Sequence, residues 1–409
     1  MSALDVYLKG NWAGRLEESS DGLVFAYDEE YARSAAAEPL SFVLPLRAEP
    51  YSGTEVEAFF SNLLPDDYVR TRIGEILQIP RENTFALLEA IGGDCAGAIA
   101  LYPRGMTPTS EIQDYRQLED AEAVRILADL EKRPLNIGEE GFRISGSGAQ
   151  DKLVACVRGG HVWLPLHGTP STHIIKPDIR NYPGSVLNEW FCMRLASACG
   201  HDVAGCDVLP LCGERYYVTT RYDRVDVSGV TKRLHQEDFC QLLKVDPRHK
   251  YEAHGGPGFA SCFRLLRDLE LSAADSVAFL ERAVFNFLVG NGDAHGKNFS
   301  VIYNGRTCSL APMYDVMSTA IYPEVGKRMA MKVDGEYAFK WMTTGKFLRM
   351  AKSLGLNEKV MRTILSRQRS RILRQTPRLA ERLGRLHPSA VYGRIADGIA
   401  QRCAQLDSK

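Results

Sequence analysis

Apolar and polar residues alternate over residues 4–9, Leu-Asp-Val-Tyr-Leu-Lys, with the period of two that a half-buried strand requires. Residues 9–12 read as a turn, residues 13–18 as the return strand, and residues 23–28 as a third strand. The period lengthens to that of a helix over residues 57–77, and a second helix is expected in the stretch 82–94, closed by Gly92 and Gly93. Residues 96–103 return to strand, so residues 1–103 read as a small mixed α/β domain. Residues 104–140 are charged and loosely helical. Strand-like runs then crowd together at 141–145, 152–158, 161–166, 172–177, 207–213 and 215–223. One helix interrupts them at 185–200, with Leu187, Trp190, Phe191 and Leu195 near helical spacing. Beyond about residue 236 helices dominate to the end. A β-rich block (104–223) followed by a helical block (224–409) is α+β architecture, here preceded by the small α/β domain.

Composition narrows the class without naming a function. The chain of 409 residues is 45% hydrophobic and 25% charged with net charge −1, as ordinary globular proteins are. It has no apolar run long enough to cross a bilayer and no basic-then-apolar leader, so a cytoplasmic protein that avoids membranes is expected. Its ten cysteines form no Cys-x-x-Cys pair and read as reduced, mostly buried thiols. His161, His167 and His173 lie close together, but no acid or cysteine among them completes a zinc site. Charge is uneven: residues 1–133 hold 24 acids and 12 bases, whereas residues 345–409 hold 15 bases and 4 acids. The basic tail is helical in pattern and reads first as a solvated face; contact with nucleic acid or an acidic surface is the alternative.

The candidate chemistry lies in six places. The segment Asn291-Gly-Asp-Ala-His-Gly-Lys-Asn-Phe-Ser300 follows an apolar run and sets Asp293 and Asn298 five residues apart, with two glycines that let the loop turn tightly. Alone it could be a surface turn. The spacing is nevertheless that of a kinase catalytic loop, Asp-x-x-x-x-Asn. Seventeen residues further, Asp315 closes an apolar stretch. A carboxylate for the attacking hydroxyl (Asp293), hard oxygens for Mg²⁺ (Asn298 and Asp315) and cations for the phosphates (Lys176, Lys297) are the parts that phosphoryl transfer needs. Upstream, small residues Ser145–Ala149 lie between two strand-like runs, like the glycine-rich flap over a kinase nucleotide; a plain hairpin turn is the simpler reading of that stretch by itself. Lys176 ends a strand, and Glu189 on the following helix stands where it could orient that lysine. Residues 218–224 close the β block, where backbone groups of Thr220 and Tyr222 could meet an adenine edge. The order flap, lysine, helix glutamate, hinge, Asp-x-x-x-x-Asn, Asp points to an ATP-dependent phosphotransferase with a two-lobed protein-kinase-like fold.

The strings around residues 145–155, 173–178, 187–200, 233–243, 291–300 and 310–318 resemble the HipA family of bacterial serine/threonine kinases, and residues 4–103 resemble that family's N-terminal domain. The resemblance covers nearly the whole chain and is weakest in the basic tail. It implies an ATP flap of Ser147, Gly148, Ala149, Gln150, Asp151 and Lys152, ATP contact by Lys176, and a hinge at Thr220, Arg221 and Tyr222. It implies that Asp293 is the catalytic base, that His295, Gly296, Lys297 and Asn298 line the phosphate site with Tyr314 and Asp315 beside them, and that Asn298 and Asp315 hold Mg²⁺. It also implies autophosphorylation at Ser145, with Ser147 the alternative; a phosphate there would add about −1.5 to −2 charge beside the ATP phosphates. The partners implied are a small helix-turn-helix antitoxin, DNA reached through that antitoxin or weakly through the tail, and a protein substrate such as an aminoacyl-tRNA synthetase. Val316 follows Asp315, so the ordinary Asp-Phe-Gly switch is missing. Two other readings stay open: a small-molecule or lipid phosphotransferase, and an ATP-binding co-repressor that transfers nothing.

Overall fold

The computed structural model describes residues 2–107, 113–138, 141, 143–305 and 307–406. Among them are twelve α-helices and several β-sheets, a mixed α and β architecture. The chain divides into two compact units: residues 1–177, 209–248 and 300–308 form the first, and residues 178–208, 249–299 and 309–409 the second.

The first unit contains two larger antiparallel sheets. In one, strands Tyr51–Ser52, Gly22–Tyr27, Asn11–Ser19, Ala3–Leu8 and Ile99–Pro103 lie in that order. In the other, Glu214–Thr220, His173–Lys176, Leu153–Arg158, His161–Leu166 and Asp114–Gln117 are successive neighbours. Alternation along Gly22–Tyr27 buries Leu23, Phe25 and Tyr27. These join Phe59, Phe60, Leu153, Ile175 and Val218 in one hydrophobic core shared by the two sheets. Burial of that kind is the main favourable term in folding.

Three expectations change here. The helical pattern over 57–77 is two helices, Thr54–Ser61 and Asp67–Leu77, because Pro65 lies between them and cannot continue a helical ladder. The strand expected at 141–145 is absent: Ile144 forms only an isolated bridge with Asp94, and Phe142 lies outside the described residues. Among its described residues the charged stretch 104–140 holds the α-helix Asp120–Ala128 but also the strand Asp114–Gln117, which its polar composition concealed. Ten free cysteines are present, and seven are buried.

Two buried polar groups tie the first unit together. Glu237 is fully buried and accepts hydrogen bonds from Ser41 Oγ at 2.5 Å, Tyr303 Oη at 2.5 Å and the Phe42 amide at 3.4 Å. Burial pushes its carboxyl up to about 7 against those hydrogen bonds. Asp94 is buried among Arg224 (2.8 Å), Arg233 (2.9 Å) and Arg221 (3.3 Å), and also accepts from Ser171 Oγ at 2.6 Å. Burial alone would raise the Asp94 carboxyl, but the three guanidiniums, Arg224 foremost, hold it well below the usual carboxylate range. Asp223 completes the cluster with Arg221 and Arg224, both at 2.9 Å.

The second unit is mainly helical. The 29-residue helix Glu358–Leu386 buries Met361, Ile364, Leu365, Gln368, Ile372, Thr376, Leu379 and Leu383, spaced three or four apart as one helix face demands. It packs against helices Ala273–Val289, Ser185–Ala198, Thr344–Ser353 and Val391–Gln405. The cations of the tail, among them Arg362, Arg374, Arg378 and Arg382, take its exposed face. Small strand pairs, such as Arg328–Val333 with Glu336–Ala338, interrupt a region where helices dominate as expected. No helix among the described residues is long and apolar enough to cross a membrane.

Candidate active site

Helix Ala273–Val289 delivers the loop that carries Asp293. The helix ends at Gly290, whose φ of 79° lies in the left-handed region where glycine is favoured. The Asn286 carbonyl there accepts from the amides of Gly290 (3.1 Å) and Asn291 (2.8 Å). The Asn291 side chain extends this geometry to the next residues. Its Nδ2 donates to Asn286 Oδ1 at 3.0 Å, and its Oδ1 accepts from the Asp293 amide at 3.0 Å. Between them the Gly292 amide donates to Thr319 Oγ1 at 2.8 Å, and a Cβ at Gly292 would run into the Arg328 carbonyl. The loop then folds on itself. The His295 amide donates to the Asp293 carbonyl at 2.8 Å, and the Asn298 amide donates to the His295 carbonyl at 2.9 Å. The Gly296 amide donates to the Lys250 carbonyl at 3.2 Å, and Lys297 is buried.

Asn298 and Asp315 meet directly: Asn298 Nδ2 donates to Asp315 Oδ2 at 3.0 Å. The Oδ1 of Asn298 is buried and has no hydrogen-bond partner among the described residues. A buried polar atom without a partner is costly. Asp315 takes φ of 57°, a conformation that costs most side chains energy but that aspartate tolerates better than most. Tyr314 Oη donates to the Lys297 carbonyl at 2.7 Å, which ties the segment before Asp315 to the loop that carries Asn298. Arg282, Asn286, Asn291, Asn298, Tyr314 and Asp315 all line one small recess in this unit.

The other expected site residues lie in the first unit, except Glu189, which is buried on helix Ser185–Ala198 of the second. Lys176 is buried at the end of strand His173–Lys176, opposite Tyr217, with its Nζ 5.6 Å from the centre of that ring. Thr220 pairs with His173 at the end of the neighbouring strand, and the Arg221 amide donates to the Thr172 carbonyl at 2.9 Å. The Arg221 side chain is committed to Asp94 and Asp223, and its carbonyl accepts from the Arg224 amide at 3.2 Å. Tyr222 Oη donates to Gln236.

The glycine-rich segment is not the hairpin expected. It lies against residues 62–66 and 94 instead. Gly148 bridges Pro65, and the Asp66 amide donates to the Gly148 carbonyl at 3.3 Å. Ser145 is only 2% exposed; its amide donates to the Asp94 carbonyl at 3.2 Å, and its hydroxyl donates to the Leu63 carbonyl. Ser147 Oγ donates to the Asn62 carbonyl at 3.3 Å, and Lys152 Nζ to the Ser147 carbonyl at 2.8 Å. Asp151 pairs with Arg72. A Cβ at Gly146 would lie 2.7 Å from a Leu135 methyl and push it aside.

Sequence reasoning missed two groups. Tyr251 Oη donates to Asp293 Oδ1 at 2.5 Å, and its ring meets His295 edge-on at 5.0 Å. The tight glycine pair Gly255-Gly256 just after it was the available signal. The Asp94 cluster was the other, and the run of arginines at 221, 224 and 233 in a strand-rich stretch hinted that a buried acid was needed.

Comparison with known proteins agrees with the sequence resemblance. The HipA-like C-terminal domain model matches residues 144–376, and the HipA N-terminal domain model matches residues 4–102. A Sinorhizobium fredii protein, Y4mE, which carries a provisional kinase name, is 39% identical over 98% of this chain and 97% of its own length. The serine/threonine-protein kinase toxin HipA of Shewanella oneidensis is 30% identical over 90% of this chain and 87% of its own. The structure of the Shewanella HipA with HipB and operator DNA superposes with a TM-score of 0.82 at 27% identity, covering 98% of this chain and 97% of that one.

Proposed function

Because the chain belongs to the HipA family of serine/threonine kinases, we propose that it moves the γ-phosphoryl group of ATP onto a protein hydroxyl, with Asp293 as the base. The observation that carries this mechanism is the Asn298–Asp315 pair, with a carboxamide oxygen left unsatisfied beside a carboxylate. Those residues fit Mg²⁺, which takes oxygen ligands and commonly uses only one or two protein side chains together with phosphates and water. Bound there, Mg²⁺ would offset charge on the transferring phosphate. Asp293 accepts the proton of the acceptor hydroxyl as its oxygen bonds to the γ-phosphorus, and the bridging oxygen leaves with ADP. Asn291 and Gly292 hold Asp293 in place, and Tyr314 keeps Asp315 in register with the loop.

The nucleotide contacts assigned to the first unit are Ser147–Lys152, Lys176 and the backbone of Thr220–Tyr222; the kinase-like reading of the fold belongs to the same proposal. Phosphorylation at Ser145 would require its segment to leave Leu63 first, because the hydroxyl is buried there. The Shewanella relative is known in a complex with HipB and operator DNA. By analogy we assign this chain a small DNA-binding antitoxin as partner and contact with DNA through it, with an aminoacyl-tRNA synthetase as the expected class of target.

The test compares wild type with Asp293→Asn for ³²P transfer from [γ-³²P]ATP into a bacterial lysate, followed by phosphoproteomics. Wild type should label serine or threonine in protein, and Asp293→Asn should lose at least ~100-fold, the usual contribution of a general base. Label confined to small molecules would overturn the protein-kinase reading. Growth inhibition undiminished in Asp293→Asn would overturn the catalytic one.

A further inference from the structure

We propose that Tyr251 is a positioning residue for Asp293, fixing its carboxylate so that one oxygen stays free for the acceptor proton; this rests on the kinase reading above. The Tyr251 hydroxyl donates to Asp293 Oδ1 at 2.5 Å. A carboxylate offers two acceptor oxygens, so a phenol on Oδ1 leaves Oδ2 to take the proton of the incoming hydroxyl. A hydrogen bond to an ionised acceptor is also among the stronger kinds, which suits a fixed orientation.

Tyr251 is itself firmly held, which separates a brace from a side chain that merely rests on the base. Its carbonyl accepts from the amides of both His254 and Gly256 at 2.9 Å. Gly256 has no room for a side chain, because a Cβ there would run into the His249 carbonyl and lie 2.8 Å from that of Tyr251. The next residue, Glu252, accepts from the Lys332 amide at 2.7 Å and pairs with Lys332 Nζ at 3.3 Å, which pins the turn to strand Arg328–Val333. The residue before it, Lys250, accepts from the Gly296 amide at 3.2 Å. The ring of Tyr251 stands at 89° to His295. Residues 250 and 251 therefore grip the catalytic loop at its acid, its histidine and its second glycine. None of these contacts comes from within the loop's own sequence. A positioned base depends on sub-ångström placement, and a misplacement of ~1 Å can cost on the order of 100-fold in rate.

The experiment measures ³²P transfer from [γ-³²P]ATP to soluble lysate protein by wild type, Tyr251→Phe, Asp293→Asn and the double variant. Phenylalanine keeps the ring against His295 and removes only the hydroxyl. Tyr251→Phe should lower kcat by ~10- to 100-fold while KM for ATP stays within about twofold, and it should add nothing to the loss already present in Asp293→Asn. Unchanged kcat in Tyr251→Phe would overturn the proposal. A rise in kcat would overturn it too, since that is the result expected if the phenol only blocks the acceptor's place. A loss expressed in KM for ATP, or one that adds fully to Asp293→Asn, would count equally against it. If Asp293→Asn transfers phosphate as wild type does, the kinase mechanism itself falls, and this role with it.

Discussion

Replacing Glu237 by glutamine should change how the stability of the first unit depends on pH, and the structure supplies sign and size. Glu237 titrates near 4.5 in an unfolded chain, whereas burial pushes it up to about 7 in the fold. Between those values the folded protein holds a proton that the unfolded chain has released. That contribution to stability is fully present below about 4.5 and is lost as pH rises through about 7. At ~1.4 kcal/mol per pH unit, the gap amounts to about 3 kcal/mol. Other groups overlap the same range with the opposite sign. Burial pushes His173 and His235 down to about 4, so the stability they contribute is present above 6.5 and lost as pH falls toward 4. The Asp94 cluster is silent in this window, because its carboxylate is held far below the range and protonates only in strong acid. Subtracting wild type from Glu237→Gln cancels the histidines and leaves Glu237 alone. Glutamine fills the same space and can still hydrogen-bond with Ser41 and Tyr303, but it carries no charge at any pH. Urea unfolding at pH 5, 6, 7 and 8, followed by circular dichroism and tryptophan fluorescence, would measure the difference. Glu237→Gln should gain about 3 kcal/mol relative to wild type from acid to base. A difference that stays level within ~0.5 kcal/mol would show that Glu237 does not hold its proton in the fold.

Two further outcomes follow from the packing. Asp94→Ala should destabilise the first unit by about 3–5 kcal/mol, as removing one partner from a buried ion cluster does, and thermal unfolding would read it; a loss below ~1 kcal/mol would mean that the arginines find other partners. Gly292→Ala should cut phosphate transfer by at least ~10-fold, because its Cβ would press on the Arg328 carbonyl and displace Asp293; wild-type kcat would show that the loop yields without moving its base.

The parts of this molecule legible in its sequence are those whose geometry is local. Strand-like runs at 4–9, 23–28 and 152–158 coincide with strands Ala3–Leu8, Gly22–Tyr27 and Leu153–Arg158, and of the acids and amide at 293, 298 and 315, Asn298 and Asp315 meet in space at 3.0 Å. Pro65 was visible but was outweighed by the apolar period around it, so one helix was expected where two form. The glycine-rich segment misled for a different reason. Its small residues suit a hairpin and a tight docking loop equally well, and its partners, Leu63 and Asp94, lie some fifty to eighty residues earlier in the chain. Tyr251 reaches Asp293 across 42 residues from a turn with no periodicity, so the glycine pair beside it marks the turn but not the contact. The Asp94 cluster shows only from its cationic side: the arginines at 221, 224 and 233 call for an acid, but nothing in Gly92-Gly93-Asp94 says that this is the one.

Asp94 falls within the stretch matched by the HipA N-terminal model, and Arg221, Arg224 and Arg233 fall within the stretch matched by the C-terminal one. The seam between the two family segments thus runs through a counterion and the cations it neutralises. Splitting the gene at that seam would take Asp94 from Arg233, leave Asp223 alone to face both Arg221 and Arg224, and orphan the Asp94 carboxylate on the other side. The amino-terminal segment is therefore no detachable accessory, and shuffling it between homologues would succeed only where acid and arginines travel together.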